Sequence, residues 1–187
     1  MAPKVKITKE DILNASLIIV REQGIDAINA RAIAKSLKCS TQPVFSNYAT
    51  MEDLKNDIIN LAQDIYIKYS EEVIKNEDIP KYKASGLAYI RFAKDESELF
   101  KLLFMRDKYG QETEFDNILS DKAVSMVSKN MKMSKDKLFM FHIQMWVFVH
   151  GIATMIATSY LKWDDEMISK MMSDEYLAVK SYYEKNK

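Results

Sequence analysis

Apolar residues recur at helical spacing along most of this chain, and polar cap residues mark where the runs begin. The first run is predicted to start at Thr8, where Thr8 and Asp11 have capping-box spacing. Ile12, Ser16 and Ile19 share one face, with Leu13, Leu17 and Val20 beside it, and Gly24 stands where a C-cap belongs. Asn29 caps a second helix, "ARAIAKSL", with Ile33 and Leu37 on the buried side. After a tight connection at Lys38 and Cys39, Ser40 is the expected cap of a short third helix, "TQPVFSNY". Pro43 sits in its first turn, where a missing N–H breaks no intrahelical bond. Thr50, with Asp53 three residues on, caps a fourth helix that runs to the break at "KNEDIP".

Further helices are expected at roughly 81–94, 97–107, 115–131, 135–160 and 164–185, with Ser97, Ser134 and Asp164 as caps. No period-2 alternation is sustained, and no Asn-Gly or Asp-Gly hairpin turn occurs. The expected class is therefore all-α, with about nine helices. The segment from Leu138 to Leu161 holds no Asp, Glu, Lys or Arg, long enough to raise a transmembrane reading. His142, Gln144, His150, Thr154, Thr158 and Ser159 distribute polar groups round it. A helix buried between a bundle and a second subunit is the preferred reading.

Composition adds bounds. Charged residues make up 29% and hydrophobic residues 48% of the 187, and Gly 4 with Pro 3 leaves little turn chemistry. Cys39 is the one cysteine, so no internal disulfide framework forms; with no apolar signal core in "MAPKVKITKEDIL", a reduced cytoplasmic setting is expected. Residues 1–48 carry seven basic and four acidic side chains, a net +3, and the remainder balances it to zero. That asymmetry permits a nucleic-acid-binding N-terminus.

Two short helices joined by a very short turn read as a helix-turn-helix, whose second helix presents side chains to base edges in the major groove. On this reading Ser40, Thr41, Gln42, Ser46 and Asn47 face outward, while Val44, Phe45 and Tyr48 tie the helix to a small core. Gln42 is the candidate base reader, since its amide pairs twice with adenine. Arg31, Lys4 and Lys6 are placed at phosphates, which position without specifying sequence, with a disordered tail as the equal alternative for Lys4 and Lys6. The N-terminus of the fourth helix, at Thr50, also offers N–H groups to phosphate.

Residues 8–58 resemble the DNA-binding domain of the tetracycline-repressor (TetR) family of transcription regulators. The stretches that carry the likeness are "ILNASLIIVREQGIDAINARAIAKSLKCS" and "VFSNYATMEDLKNDI", in order and without a gap. The resemblance implies an all-α homodimer, with a helix-turn-helix domain at 1–52 and a helical ligand-binding and dimerisation domain at 53–187. It also implies a palindromic operator in double-stranded DNA and a repressor released by a small-molecule effector, with no resident cofactor, no metal and no membrane. The candidate DNA-facing set is Arg31, Ser40, Thr41, Gln42, Pro43, Phe45, Ser46, Asn47, Tyr48 and Lys55. Three positions depart from the family pattern. Lys38 replaces a turn glycine, Phe45 replaces a tyrosine that often contacts phosphate, and Met51 replaces a lysine, for which Lys55 is the nearby substitute.

"YIRFAKDESELFKLLFM" and "MWVFVHGIATMIA" resemble a subfamily whose late helix carries Trp and then His-Gly, here Trp146, His150 and Gly151. Tyr89, Phe100, Phe104, Met105, Phe141, Met145, Trp146, Val149 and His150 are the candidate lining of the adaptable apolar pocket that the resemblance implies, while each taken singly reads equally as core. His142, Trp146 and His150 form one stripe, expected to face the subunit interior. Phe141, Phe148 and Met155 form another, at a spacing suited to helix–helix packing, and the later part of the helix, with helix 164–185, is expected to build the dimer interface. The two histidines are roughly 12 Å apart along the helix, too far to share one metal ion. Both lie on that helix, and there is no Gly-rich phosphate loop or nucleophile elbow, so an enzyme is not expected. A small helical enzyme, and a helix-turn-helix protein controlled by a partner protein, are the alternatives.

Overall fold

A computed structural model describes residues 7–76, 78–107, 114–129, 131 and 133–185, and every regular element among them is helical. In chain order these are α1 (Lys9–Gln23), a single 3-10 turn (Ile25–Ala27), α2 (Ala30–Ser36), α3 (Gln42–Asn47), α4 (Met51–Asn76), α5 (Lys81–Asp95), α6 (Ser97–Phe104), α7 (Glu114–Ser128), α8 (Lys135–Ala157) and α9 (Asp165–Lys185). Lys4 and Lys6 lie outside the described residues.

Most caps form as expected, because a cap is a contact within four residues. Thr8 and Asp11 close a full capping box, as do Thr50 and Asp53: each Asp carboxylate accepts from the Thr N–H, and each Thr hydroxyl accepts from the Asp N–H. The Asn29 amide oxygen accepts from the N–H groups of Arg31 and Ala32, Ser134 from Lys137, and Asp164 from Met167. Two expected caps fail. Ser97 is the first residue inside α6, and Glu96 takes the cap position. α3 starts after Thr41, not Ser40, and has no side-chain cap. Pro43 is its second residue, so the N–H that a cap would take there is missing.

Packing divides the chain into two units. One runs through Ile65 and includes Glu96–Arg106; the other consists of Tyr66–Asp95 and Asp107–Lys187. The boundary at 52/53 expected from sequence falls elsewhere, because α4 is continuous from Met51 and its Leu54 and Ile58 are completely buried. In the first unit Ile12, Val20, Ile33, Val44, Leu99 and Phe100 are also sealed. α6 packs on α1 here. The Arg21 guanidinium grips the Glu96 carboxylate with two bonds, Nε–Oε2 at 2.9 Å and Nη2–Oε1 at 2.6 Å. Gly24 closes α1 with φ 79° and ψ 171°, a conformation essentially reserved for glycine. A Cβ there would also lie 3.1 Å from Glu98 Oε2.

The second unit is built on α5 packed against α8, with α7 and α9 alongside. Its interior is aromatic. Tyr66 meets Tyr89, Phe92 and Phe115 edge-on, and Phe141 meets the rings of Tyr82, Tyr176 and Tyr183. Val127, Met131, Leu138 and Met145 complete the cluster round Phe141.

Candidate functional site

α2 ends in a doubly bonded turn. Lys38 N–H donates to the Lys35 carbonyl at 3.2 Å and Cys39 N–H to the Ala34 carbonyl at 2.9 Å. This is the Schellman closure, and it puts Lys38 at φ 52°, the left-handed conformation that glycine adopts freely. The closure reverses the chain and delivers α3 onto α1 and α2. Val44 and Tyr48 point into the core, while Gln42, Phe45 and Ser46 are exposed. Arg31, Lys35, Lys38 and Ser40 are exposed on α2 and the turn. Thr41, Pro43 and Asn47 are half-buried.

One residue of α3 changes place relative to the sequence reading. Phe45 is 59% exposed and does not tie α3 to the core. One position after Val44 on a helix anchored by Val44 and Tyr48, its side chain is turned about 100° away from the buried stripe. Tyr48 is only 4% exposed, so it ties α3 to the core as expected and has no exposed place in the DNA-facing set. Its ring lies under Lys9 Nζ, 4.8 Å from the centroid, and Lys9 is paired with Asp57 at 2.7 Å. Burial and the nearby Asp57 carboxylate raise the Tyr48 pKa, so the phenol stays neutral. Lys9, Tyr48 and Asp57 thus join α1, the end of α3 and α4.

The exposed polar groups are partly committed. Ser46 Oγ donates to the Gln42 carbonyl at 2.9 Å, and Asn47 Nδ2 to the Pro43 carbonyl at 2.8 Å. Lys55 is half-buried on α4, as is Met51. The α4 N-terminus carries Glu52 and Asp53 in its first turn, with the Asp53 carboxylate turned back onto Thr50.

The nine residues offered as pocket lining separate into two groups. Phe100, Phe104 and Met105 belong to the first unit, with α6 docked on α1; Phe100 is completely buried and its ring centroid is 5.2 Å from that of Phe104. Tyr89, Phe141, Met145, Trp146, Val149 and His150 lie in the second unit. There α5 and α8 are joined by two tyrosine–histidine pairs: Tyr82 Oη to His142 Nδ1 at 3.2 Å, and Tyr89 Oη to His150 Nδ1 at 2.8 Å. The Trp146 indole stacks on the His150 ring, centroids 5.0 Å apart and planes at 18°.

The stripe His142–Trp146–His150 does not simply face inward, since Trp146 is 42% exposed. Each four-residue step advances about 40° round a helix, so the stripe climbs from the buried face to the flank. Phe141–Phe148–Met155 drifts likewise by about 20° per seven residues. It begins at completely buried Phe141, passes half-buried Phe148 and ends at exposed Met155. Phe141 is therefore core. Among the described residues no group of three or more His, Cys, Asp or Glu could hold a metal ion.

Both histidines are held neutral. Desolvation lowers the pKa of each below 6.5, while burial raises those of Tyr82 and Tyr89, which remain phenols. Each pair is held by one hydrogen bond at Nδ1, and the imidazole tautomer sets which partner donates. Below pH 6.5 the unfolded chain binds more protons than the folded one. Stability should be full above that pH and fall as pH drops below it. Denaturant titrations at pH 7.5 and 5 should show the loss, and His142→Asn should shrink the difference. An unchanged difference would assign the acid sensitivity to other groups.

The outer face of α8 carries Met140, Ile143, Val147 and Gly151, where a Cβ would meet nothing within 4 Å. Ile143, Gln144, Val147 and Phe148 of α8, with Glu175 and Val179 of α9, line an open groove of ≈ 410 Å³. None of the residues expected to line a ligand pocket borders this groove. By length and composition α8 could cross a membrane, though 33% of its most apolar window is buried inside the protein.

This fold matches solved structures. A TetR-like transcriptional regulator from Rhodococcus sp. RHA1 matches with a TM-score of 0.65 and 10% identity, over 95% of this chain and 96% of that one. A TetR family transcriptional regulator from Vibrio parahaemolyticus matches at 0.62 and 14% identity, over 90% and 96%. AibR, in complex with isovaleryl coenzyme A and operator DNA, matches at 0.58 and 13% identity, over 87% and 94%. The chain thus has the all-α fold of TetR-like regulators. No family model matches the sequence, and no curated protein matches it.

Proposed function

We propose that this chain is a ligand-responsive transcriptional regulator, most simply a repressor, that binds a palindromic operator as a homodimer. The observation that carries the reading is the outward face of α3. Gln42, Phe45 and Ser46 are exposed on a short helix whose opposite side, Val44 and Tyr48, is buried, and Arg31, Lys35 and Lys38 stand exposed beside it. A polar helix flanked by cations suits the major groove between two phosphate backbones. The fold adds support, since AibR with the same fold has been solved with both a small molecule and operator DNA.

In this reading Gln42 reads a base and Ser40, Thr41, Pro43, Ser46 and Asn47 border the groove. Arg31 and Lys55 meet phosphate, and Tyr48 supports the interface from behind. Tyr89, Trp146 and His150 border the effector site. The exposed apolar residues of α8, with those of α9, pack against a second copy, which accounts for a long apolar helix in a soluble, cytoplasmic, non-enzymatic protein. Selection of bound sites from random duplexes tests the proposal. The expected result is an inverted repeat with half-sites about one helical turn, ~34 Å, apart or a multiple of it. No preference over random DNA, or a site without inverted symmetry, would overturn it.

A further inference from the structure

The α3 sequence "QPVFSN" contains no Lys, Arg, Asp or Glu. Its exposed side chains are an amide, a phenyl ring and a hydroxyl that donates to its own helix. Guanine is usually read by Arg or Lys and the cytosine amino group by an acid, so this helix lacks the usual readers of a G·C pair. Gln42 is suited to adenine. Phe45, three residues on, shares its face, and the ring has no hydroxyl to offer a phosphate. The apolar group that the major groove offers such a ring is the thymine 5-methyl. The exposed cations Arg31, Lys35 and Lys38 lie on α2 and its turn, outside α3, so charge is available for the backbone without entering the base contacts.

We infer that Phe45 is a specificity-determining residue that packs on a thymine methyl, and that α3 reads A·T pairs through Gln42 and Phe45 together. The inference rests on the regulator reading above. Three residues of helix rise about 4.5 Å, slightly more than the 3.4 Å between base pairs, so the two contacts fall on neighbouring pairs.

The test uses the full chain and its selected site, with each thymine of a half-site replaced in turn by uracil. Uracil keeps every pairing group and loses only the methyl. The expected result is one position per half-site at which uracil weakens binding roughly 3- to 5-fold, the scale of one buried methyl. Phe45→Ala should bind thymine and uracil sites alike at that position, and Gln42→Ala should lose its adenine preference at the adjacent pair. Phe45 is exposed, so Phe45→Ala is expected to melt with the parent, and circular dichroism confirms that it is folded. A palindrome bound equally well with uracil throughout, or an unchanged uracil penalty in Phe45→Ala, would overturn this inference alone. A chain that enriches no duplex would overturn the regulator reading, and this inference with it.

Discussion

Val147→Glu should sediment as a monomer and lose tight operator binding. Val147 is 58% exposed, at the middle of α8 and beside the groove that Glu175 and Val179 complete. In the proposed homodimer this face is covered by its counterpart. A carboxylate there would lose water without gaining a cation, and Glu175 adds a like charge nearby. A cost of about 3–5 kcal/mol, as when a buried charge loses its partner, weakens association by at least roughly 100-fold. Operator affinity should fall with it, since a monomer holds one half-site. The fold should survive, because the side chain packs little within its own subunit. Sedimentation and circular dichroism on the same sample separate the two effects. A folded Val147→Glu protein that stays dimeric at micromolar concentration would remove α8 from the interface.

Phe141→Ala should act in the opposite way, on the fold. Its ring is completely buried among Tyr82, Tyr176 and Tyr183. Truncating a sealed phenylalanine costs about 3–5 kcal/mol, from lost transfer energy and the cavity left behind. Urea unfolding should register that loss in the midpoint. A variant as stable as the parent but monomeric would place Phe141 at the dimer seam instead.

What sequence made legible was local. Thr8, Asn29, Thr50, Ser134 and Asp164 cap helices through contacts within three residues, and residue type with spacing is enough to find them. Val44 and Gln42 were also placed on their proper sides of α3. What was lost depends on distance or on accumulated angle. Nothing in "SELFKLLF" says that α6 belongs with α1, because the Arg21–Glu96 pair spans 75 positions. The faces of α8 were misjudged because steps of four and seven do not close on a 3.6-residue turn, so each stripe wanders from core to surface. Tyr48 was legible as a core tie of α3, but its partners Lys9 and Asp57 lie far off in sequence and only the packing brings them round it.

The stacking of Trp146 on His150 gives the molecule an optical signal of its own. The chain has 2 Trp, and only Trp146 is described with its indole plane against an imidazole. A protonated imidazole quenches indole emission by accepting charge from the excited ring, whereas a neutral one quenches far less. Because desolvation disfavours protonation of His150, Trp146 emission should dim only as acid overcomes that desolvation. Anything that slides between the two rings, or draws water away from them, changes the same light. Occupancy of this flank of α8 should therefore register in the emission of the unlabelled protein, over the background of Trp163.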